Sequence, residues 1–220
     1  MPVVIEPEVQ PGLTFGEMQE EVYAAGFDDL KSNAAEVARV KRWLNIAYRE
    51  VCDYQGQPWP WLEAEIQELA PMTIANVGHV LSVTDSTHDE QLRYADRREL
   101  IRLDPDLSGT GIAERWYMEG EDSLNVYPAN ASSTFLVRYT VLPADLKEDS
   151  DLCLVPRIYQ QMIVEGAILR AYKNRDNYDA AKIVREEWRF GMENMVRALI
   201  KRNYDRERSV LRTGRPGDYL

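Results

Sequence analysis

The chain has 220 residues, 45% of them hydrophobic, and 37 acidic against 26 basic side chains give a net charge of −11. That length suits one elaborated domain or two small ones, with apolar residues enough for a sizeable core. An acidic body disfavours wrapping by DNA, because carboxylate repels phosphate. The longest apolar run, near residues 162–172, is interrupted by Glu165 and Arg170 and is too short for a membrane span. The opening MPVVIEPEVQPG has neither a basic region nor a long apolar stretch, so no signal peptide is expected. Cys52 and Cys153 lie far apart with no CxxC spacing and read as reduced thiols of a cytosolic protein.

The charge is uneven. Residues 201–220 hold six bases and three acids, a net of +3, so the other 200 residues carry −14. A basic tail on an acidic body points to an acidic partner surface for the tail.

Residues 1–13 contain Pro2, Pro7 and Pro11 and read as an extended arm. Thr14 followed by Glu17 is a capping box, which predicts a helix over 15–25. Ser32 or Asn33 caps a longer helix over 35–54, with Val37, Val40, Leu44, Ala47 and Val51 on one stripe. Gln55-Gly56-Gln57-Pro58 stops it. The period then changes from 3.6 to 2. In WLEAEIQEL, Leu62, Ala64 and Ile66 alternate with polar residues, as in a half-buried strand. HVLSVTD, ERWYMEG, DSLNVYP and STFLVRYTV follow as short strands, with DRRELIRL as one helical interruption. Helical pattern returns over 157–173 and over 178–202, the latter with Ala181, Val184, Trp188, Met192, Met195 and Leu199 on one stripe. From Asn203 onward no apolar period is sustained, and Gly214, Pro216 and Gly217 predict an extended tail.

The expected fold is therefore α+β: mainly a bundle of about four helices, with a small antiparallel β insertion and extended N- and C-terminal arms. The expected boundaries are an arm at 1–13, a bundle from 14–58 and 143–203, a β-rich insertion at 59–142 and a tail at 204–220. The 157–173 helix is apolar nearly all round and needs neighbours on most sides. One side would face the other helices. The other would face the β module or a second subunit.

Catalytic signals are weak. His88 lies among Asp85, Asp89 and Glu90, but without an EF-hand spacing, and reads as a polar loop. His79 reads as a loop residue before a strand. SGTG at 108–111 lacks the lysine of a phosphate loop. Glu165, inside the apolar helix, is expected to pair with Arg170, Lys173 or another base, or to face solvent. The Trp59-Pro60-Trp61 turn is followed by Glu63 and Glu65, so its indoles read as packing residues and not as base-stacking ones. No residue is assigned to catalysis, to a cofactor or to a metal.

Three stretches carry a resemblance: TFGEMQEEV, then VKRWLNIAYREVCDYQGQPWPWL, then LPADLKEDSDLCLVPRIYQQMIVEGAILRAY with NYDAA following. Together, from about Thr14 to Met195, they resemble the head-to-tail adaptor (connector) proteins of tailed bacteriophages and are similar to the tail tubular protein A group of short-tailed phages. The resemblance implies a structural virion protein. It would form a homo-oligomeric ring beneath the portal, dodecameric like the portal of that class. It would contact portal and tail or neck proteins and let genomic DNA pass without sequence-specific binding. It would act in the virion neck after synthesis in the host cytoplasm, with no membrane and no cofactor. Within that reading Arg206, Arg208, Arg212, Arg215, Tyr219 and Leu220 are the candidate portal-binding residues. Trp59, Trp61, Tyr159, Met162 and Trp188 are candidates for inter-subunit or bundle packing. The alternatives are another neck or tail component, such as a stopper or terminator, and a small metal-dependent hydrolase built on His88.

Overall fold

The computed structural model describes residues 3–5 and 12–212, with residues 3, 5 and 200–212 described by backbone alone. The described residues fall into two compact units, one within residues 1–9 and 58–144, the other within 10–57 and 145–220.

The first unit carries two sheets. Strands β1 (Val3–Ile5), β2 (Glu63–Leu69), β4 (Val77–Asp85), β5 (Glu90–Gln91) and β9 (Thr134–Val141) form a five-stranded sheet in the order β1-β2-β9-β4-β5. Strands β3 (Met72–Thr73), β6 (Arg93–Tyr94), β7 (Arg115–Glu119) and β8 (Ser123–Tyr127) form a second sheet in the order β3-β8-β7-β6. All pairings are antiparallel except β6 with β7. The alternation in sequence decides the faces: Ala64, Ile66, Phe135, Val137 and Tyr139 are buried from the first sheet. Met72, Trp116, Leu124 and Val126 join the same core from the second. A short helix, α3 (Arg97–Leu103), is capped by Asp96 and buries Leu100 beside Ala95 and Tyr117.

The second unit is helical. It holds α1 (Phe15–Ala24), α2 (Ala34–Cys52), α4 (Gln161–Asn174) and α5 (Tyr178–Arg212). The capping box forms in full: the Glu17 N–H donates to Thr14 Oγ1 at 3.2 Å and the Thr14 N–H donates to Glu17 Oε2 at 2.7 Å. Asn33 caps α2 by accepting from the Ala35 N–H. Helix α4 packs against α1, α2 and α5. Its all-round apolar character is met by three helices of its own unit. At the α2 crossing, a Cβ on Gly166 would sit 2.8 Å from the Ala47 Cβ, so the approach requires glycine.

An irregular strap, residues 145–160, lies against these helices, and side chains satisfy much of its backbone. Asn45 is buried on α2; its Nδ2 donates to the Leu146 carbonyl at 2.9 Å and its Oδ1 accepts the Leu146 N–H at 2.8 Å. Gln19 Nε2 and Lys41 Nζ both donate to Asp149 Oδ1. The first N–H groups of α1 are taken up by the strap, Phe15 donating to the Asp151 carbonyl and Gly16 to that of Asp149. Buried Gln160 accepts from the Leu13 N–H at 2.7 Å and donates to the Val155 carbonyl at 2.9 Å.

Two parts of the expected fold are corrected. The chain is not mainly a bundle of about four helices with a small insertion. Among the described residues it has five α-helices and two sheets, and the β unit has a core of its own. The two-residue strands are too short to show a period, and β1 comes from the N-terminal arm, whose Val-Val-Ile run pairs with Gln67, Ile66 and Glu65 of β2. The tail is not extended from Asn203, because α5 continues through Arg212. No glycine or proline interrupts the chain between Gly191 and Gly214, and a solvated helix needs no apolar stripe. Residues 213–220 lie outside the described residues.

Asn45→Ala leaves the buried Leu146 N–H and carbonyl without their partners. It is expected to lower unfolding free energy by about 2 kcal/mol, read as a lower urea midpoint at unchanged slope.

Candidate functional site

The five packing candidates separate. Trp59 is fully buried and stacks on Trp61, with centroids 4.7 Å apart and planes at 15°. Met162 and Trp188 meet across α4 and α5: the indole N–H donates to the Met162 carbonyl at 2.9 Å, and Tyr54 packs edge-on to Trp188 at 5.8 Å. Met162 also lies over Gly191, where an added Cβ would come within 2.3 Å of its sulfur. The Met162–Trp188 contacts lie within the helical unit, and the Trp59–Trp61 stack lies within the β unit. Tyr159 ends a 3₁₀ turn, Arg157–Tyr159, and is half-buried.

The tail candidates divide at the end of α5. Arg206, Arg208 and Arg212 lie on its helical backbone. Arg215, Tyr219 and Leu220 lie outside the described residues. Helix α5 has 35 residues, about 50 Å at 1.5 Å per residue. It meets the first turn of α4 at Gly191, so its later residues run past the start of α4 and carry the basic sequence with them.

Asp85 is fully buried at the end of β4 and closes a turn. Its Oδ1 accepts from the Thr87 and His88 N–H groups, and its Oδ2 lies 2.8 Å from His88 Nδ1. Burial alone would raise its pKa. The His88 ring, the two N–H groups and the Ser133 hydroxyl outweigh that and hold the carboxyl below its ordinary value. Among the described residues no group of three His, Cys, Asp or Glu side chains is placed to hold a metal ion.

Glu165 is half-buried, and burial followed by the Glu187 carboxylate pushes its pKa up. Neither base expected to pair with it does so. Arg170 pairs with Glu50 and donates to the Gly166 carbonyl, and Lys173 has its pKa lowered by burial and by Arg185 and Arg170. Cys52 and Cys153 are free and buried, and burial pushes the Cys153 thiol up to about 11. Within the β unit, an open cleft of about 840 Å³ is lined by Glu90, Arg93, Tyr94, Glu99, Glu114 and Arg115. Among the described residues no helix is long and apolar enough to cross a membrane.

What this geometry defines is a protein of packing surfaces: two cores, a hooked strap and a long helix that outruns its bundle. The family model of the SU10 adaptor protein matches residues 13–216, and the chain belongs to that family of phage head-to-tail adaptors. No curated protein matches the chain.

Asp85 contributes stability above the ordinary carboxylate range, and this is lost as pH falls through its depressed folded value. Asp85→Ala is expected to cost about 1–3 kcal/mol at neutral pH. The difference from wild type should shrink below pH 3.8, the ordinary aspartate value, as followed by denaturant titrations across pH. A chelator should leave the melting temperature of the wild type unchanged. A shift on EDTA treatment, reversed by one particular cation, would contradict the structural reading of this turn.

Proposed function

We propose that the chain is the adaptor ring subunit of a tailed phage, seated beneath the portal and forming part of the DNA conduit between capsid and tail. The observation that carries this reading, on top of family membership, is α5. A helix that continues past the start of α4 and turns basic is suited to reach away from the subunit into an acidic partner. The partner in this reading is the portal. Arg206, Arg208 and Arg212 contact its carboxylates from the helix, and Arg215, Tyr219 and Leu220 continue the contact. Guanidinium forks suit this role better than ammonium groups, because they bind carboxylates bidentately.

Closed head-to-tail contacts make rings, and a conduit needs a ring; a dodecamer matches a dodecameric portal. The −14 carried by the first 200 residues suits a wall that DNA must slide past without sticking. Tail or neck proteins bind the face away from the portal, and the protein works in the virion neck. No chemistry is assigned to it.

Deleting residues 204–220 should leave the remaining chain folded, with an unchanged melting temperature, and abolish its attachment to purified portal rings. DNA-filled heads given only the truncated protein should leak DNA and remain tailless. Unchanged affinity for portal rings would remove the docking role of the helix end. Binding of the full chain should weaken as salt rises, since the contact is ionic.

A further inference from the structure

We infer that the open cleft of the β unit around Tyr94 is a binding site for a neutral oligosaccharide. The inference concerns the β unit alone and does not rest on the ring reading.

The cleft forms where the chain passes from β5, the edge strand of one sheet, to β6, the edge strand of the other. Glu90 comes from β5, Arg93 and Tyr94 from β6, Glu99 from α3 and Arg115 from β7, with Glu114 just before it. Its volume of about 840 Å³ lies within the range of small-ligand sites, about 300–1,000 Å³. Tyr94 is 63% exposed, yet its ring is held in place. Trp116, itself buried, meets it edge-on with centroids 4.9 Å apart and planes at 61°. A ring propped in this way offers the cleft an apolar surface that loses little freedom when a ligand covers it.

The charged lining narrows the ligand class. Four carboxylates (Asp89, Glu90, Glu99, Glu114) accompany two guanidinium groups (Arg93, Arg115), a net of −2. Among the described residues none of these six side chains makes a hydrogen bond or an ion pair. Arg93 and Arg115 are register partners on parallel strands, so two like charges stand side by side. An anion such as phosphate would meet the excess of carboxylates. A cation would meet the two arginines, and among the described residues no three His, Cys, Asp or Glu side chains are placed to hold a metal. A ligand that serves both signs must accept from guanidinium and donate to carboxylate. A hydroxyl does both, with one donor and two acceptor lone pairs. A sugar carries several hydroxyls around one ring, and its C–H face matches the apolar face of Tyr94.

The test is binding of the full chain to an array of neutral bacterial and plant oligosaccharides, followed by calorimetric titration with the sugar bound best. Tyr94→Ala, at an exposed position, should keep the wild-type melting temperature and weaken binding of that sugar about tenfold. Glu99→Ala, at an exposed position on α3, should also weaken it through loss of an acceptor. It carries the test if Tyr94→Ala lowers the melting temperature. Affinity should be unchanged across a salt series, because the ligand is uncharged. That is the opposite of the expectation for the ionic portal contact. No binding at millimolar sugar would overturn the inference, and so would equal binding by wild type and both variants. Binding confined to acidic saccharides and lost as salt rises would overturn it too. Attachment to portal rings is measured separately, so each of these failures leaves the adaptor reading intact.

Discussion

The helical unit depends on a solution to one problem: an irregular stretch of backbone packed against helices must find partners for its N–H and carbonyl groups. Residues 145–160 have no ladder to supply them. Asn45 supplies two, to both polar groups of Leu146. Tyr48 accepts from the Leu154 N–H. Gln160 holds Val155 on one side and Leu13 on the other. In return the strap carbonyls of Asp149 and Asp151 accept the otherwise unpaired N–H groups at the start of α1. The strap and α1 thus complete each other, and neither end is satisfied without the other. Once the strap is fixed, α4 begins at a fixed place, and α4 sets where α5 can lie.

This also explains why the stretch LPADLKEDSDLCLVP is so distinctive. Asp151 folds the strap on itself by accepting from the Lys147 and Glu148 N–H groups, which holds its carboxyl below the ordinary value. Asp149 is held between Gln19 and Lys41. Cys153 and Val155 are fully buried. Its described residues act as hooks and as buried packing groups.

The helix starts were legible because capping is local. Thr14 with Glu17, and Asn33 before α2, act within three residues and need no tertiary information. The apolar stripe of α2 was legible for the same reason, and Val40, Leu44, Ala47 and Val51 are all buried. The alternation of β9 likewise gave its inward face. The rest depended on partners distant in sequence. Strand β1 exists because β2 offers an edge more than fifty residues away. The pairs β3–β8 and β6–β7 are fixed by register and not by their own two-residue patterns. The end of α5 was misread because a missing apolar stripe was equated with missing helix. Of the candidate residues, Trp188 lies on the apolar stripe of α5 and donates to the Met162 carbonyl. Ile183 and Phe190 lie seven residues apart, off the main stripe, and are exposed.

Helix α5 thus divides its tasks along its length and around its circumference. Its inner face near Trp188 and Met192 is apolar and closes the bundle against α4. Its outer face over the same turns exposes Ile183 and Phe190. Beyond Gly191 the helix runs past the start of α4, and beyond Arg197 its sequence is basic. Each property follows from what would be in contact at that level. A core excludes charge because an unpaired charge is costly to bury. A contact with an acidic partner needs excess positive charge, and this is best held away from the −14 carried by the first 200 residues, which would otherwise neutralise it. A continuous helix provides that separation from its own bundle, because each residue adds about 1.5 Å along its axis.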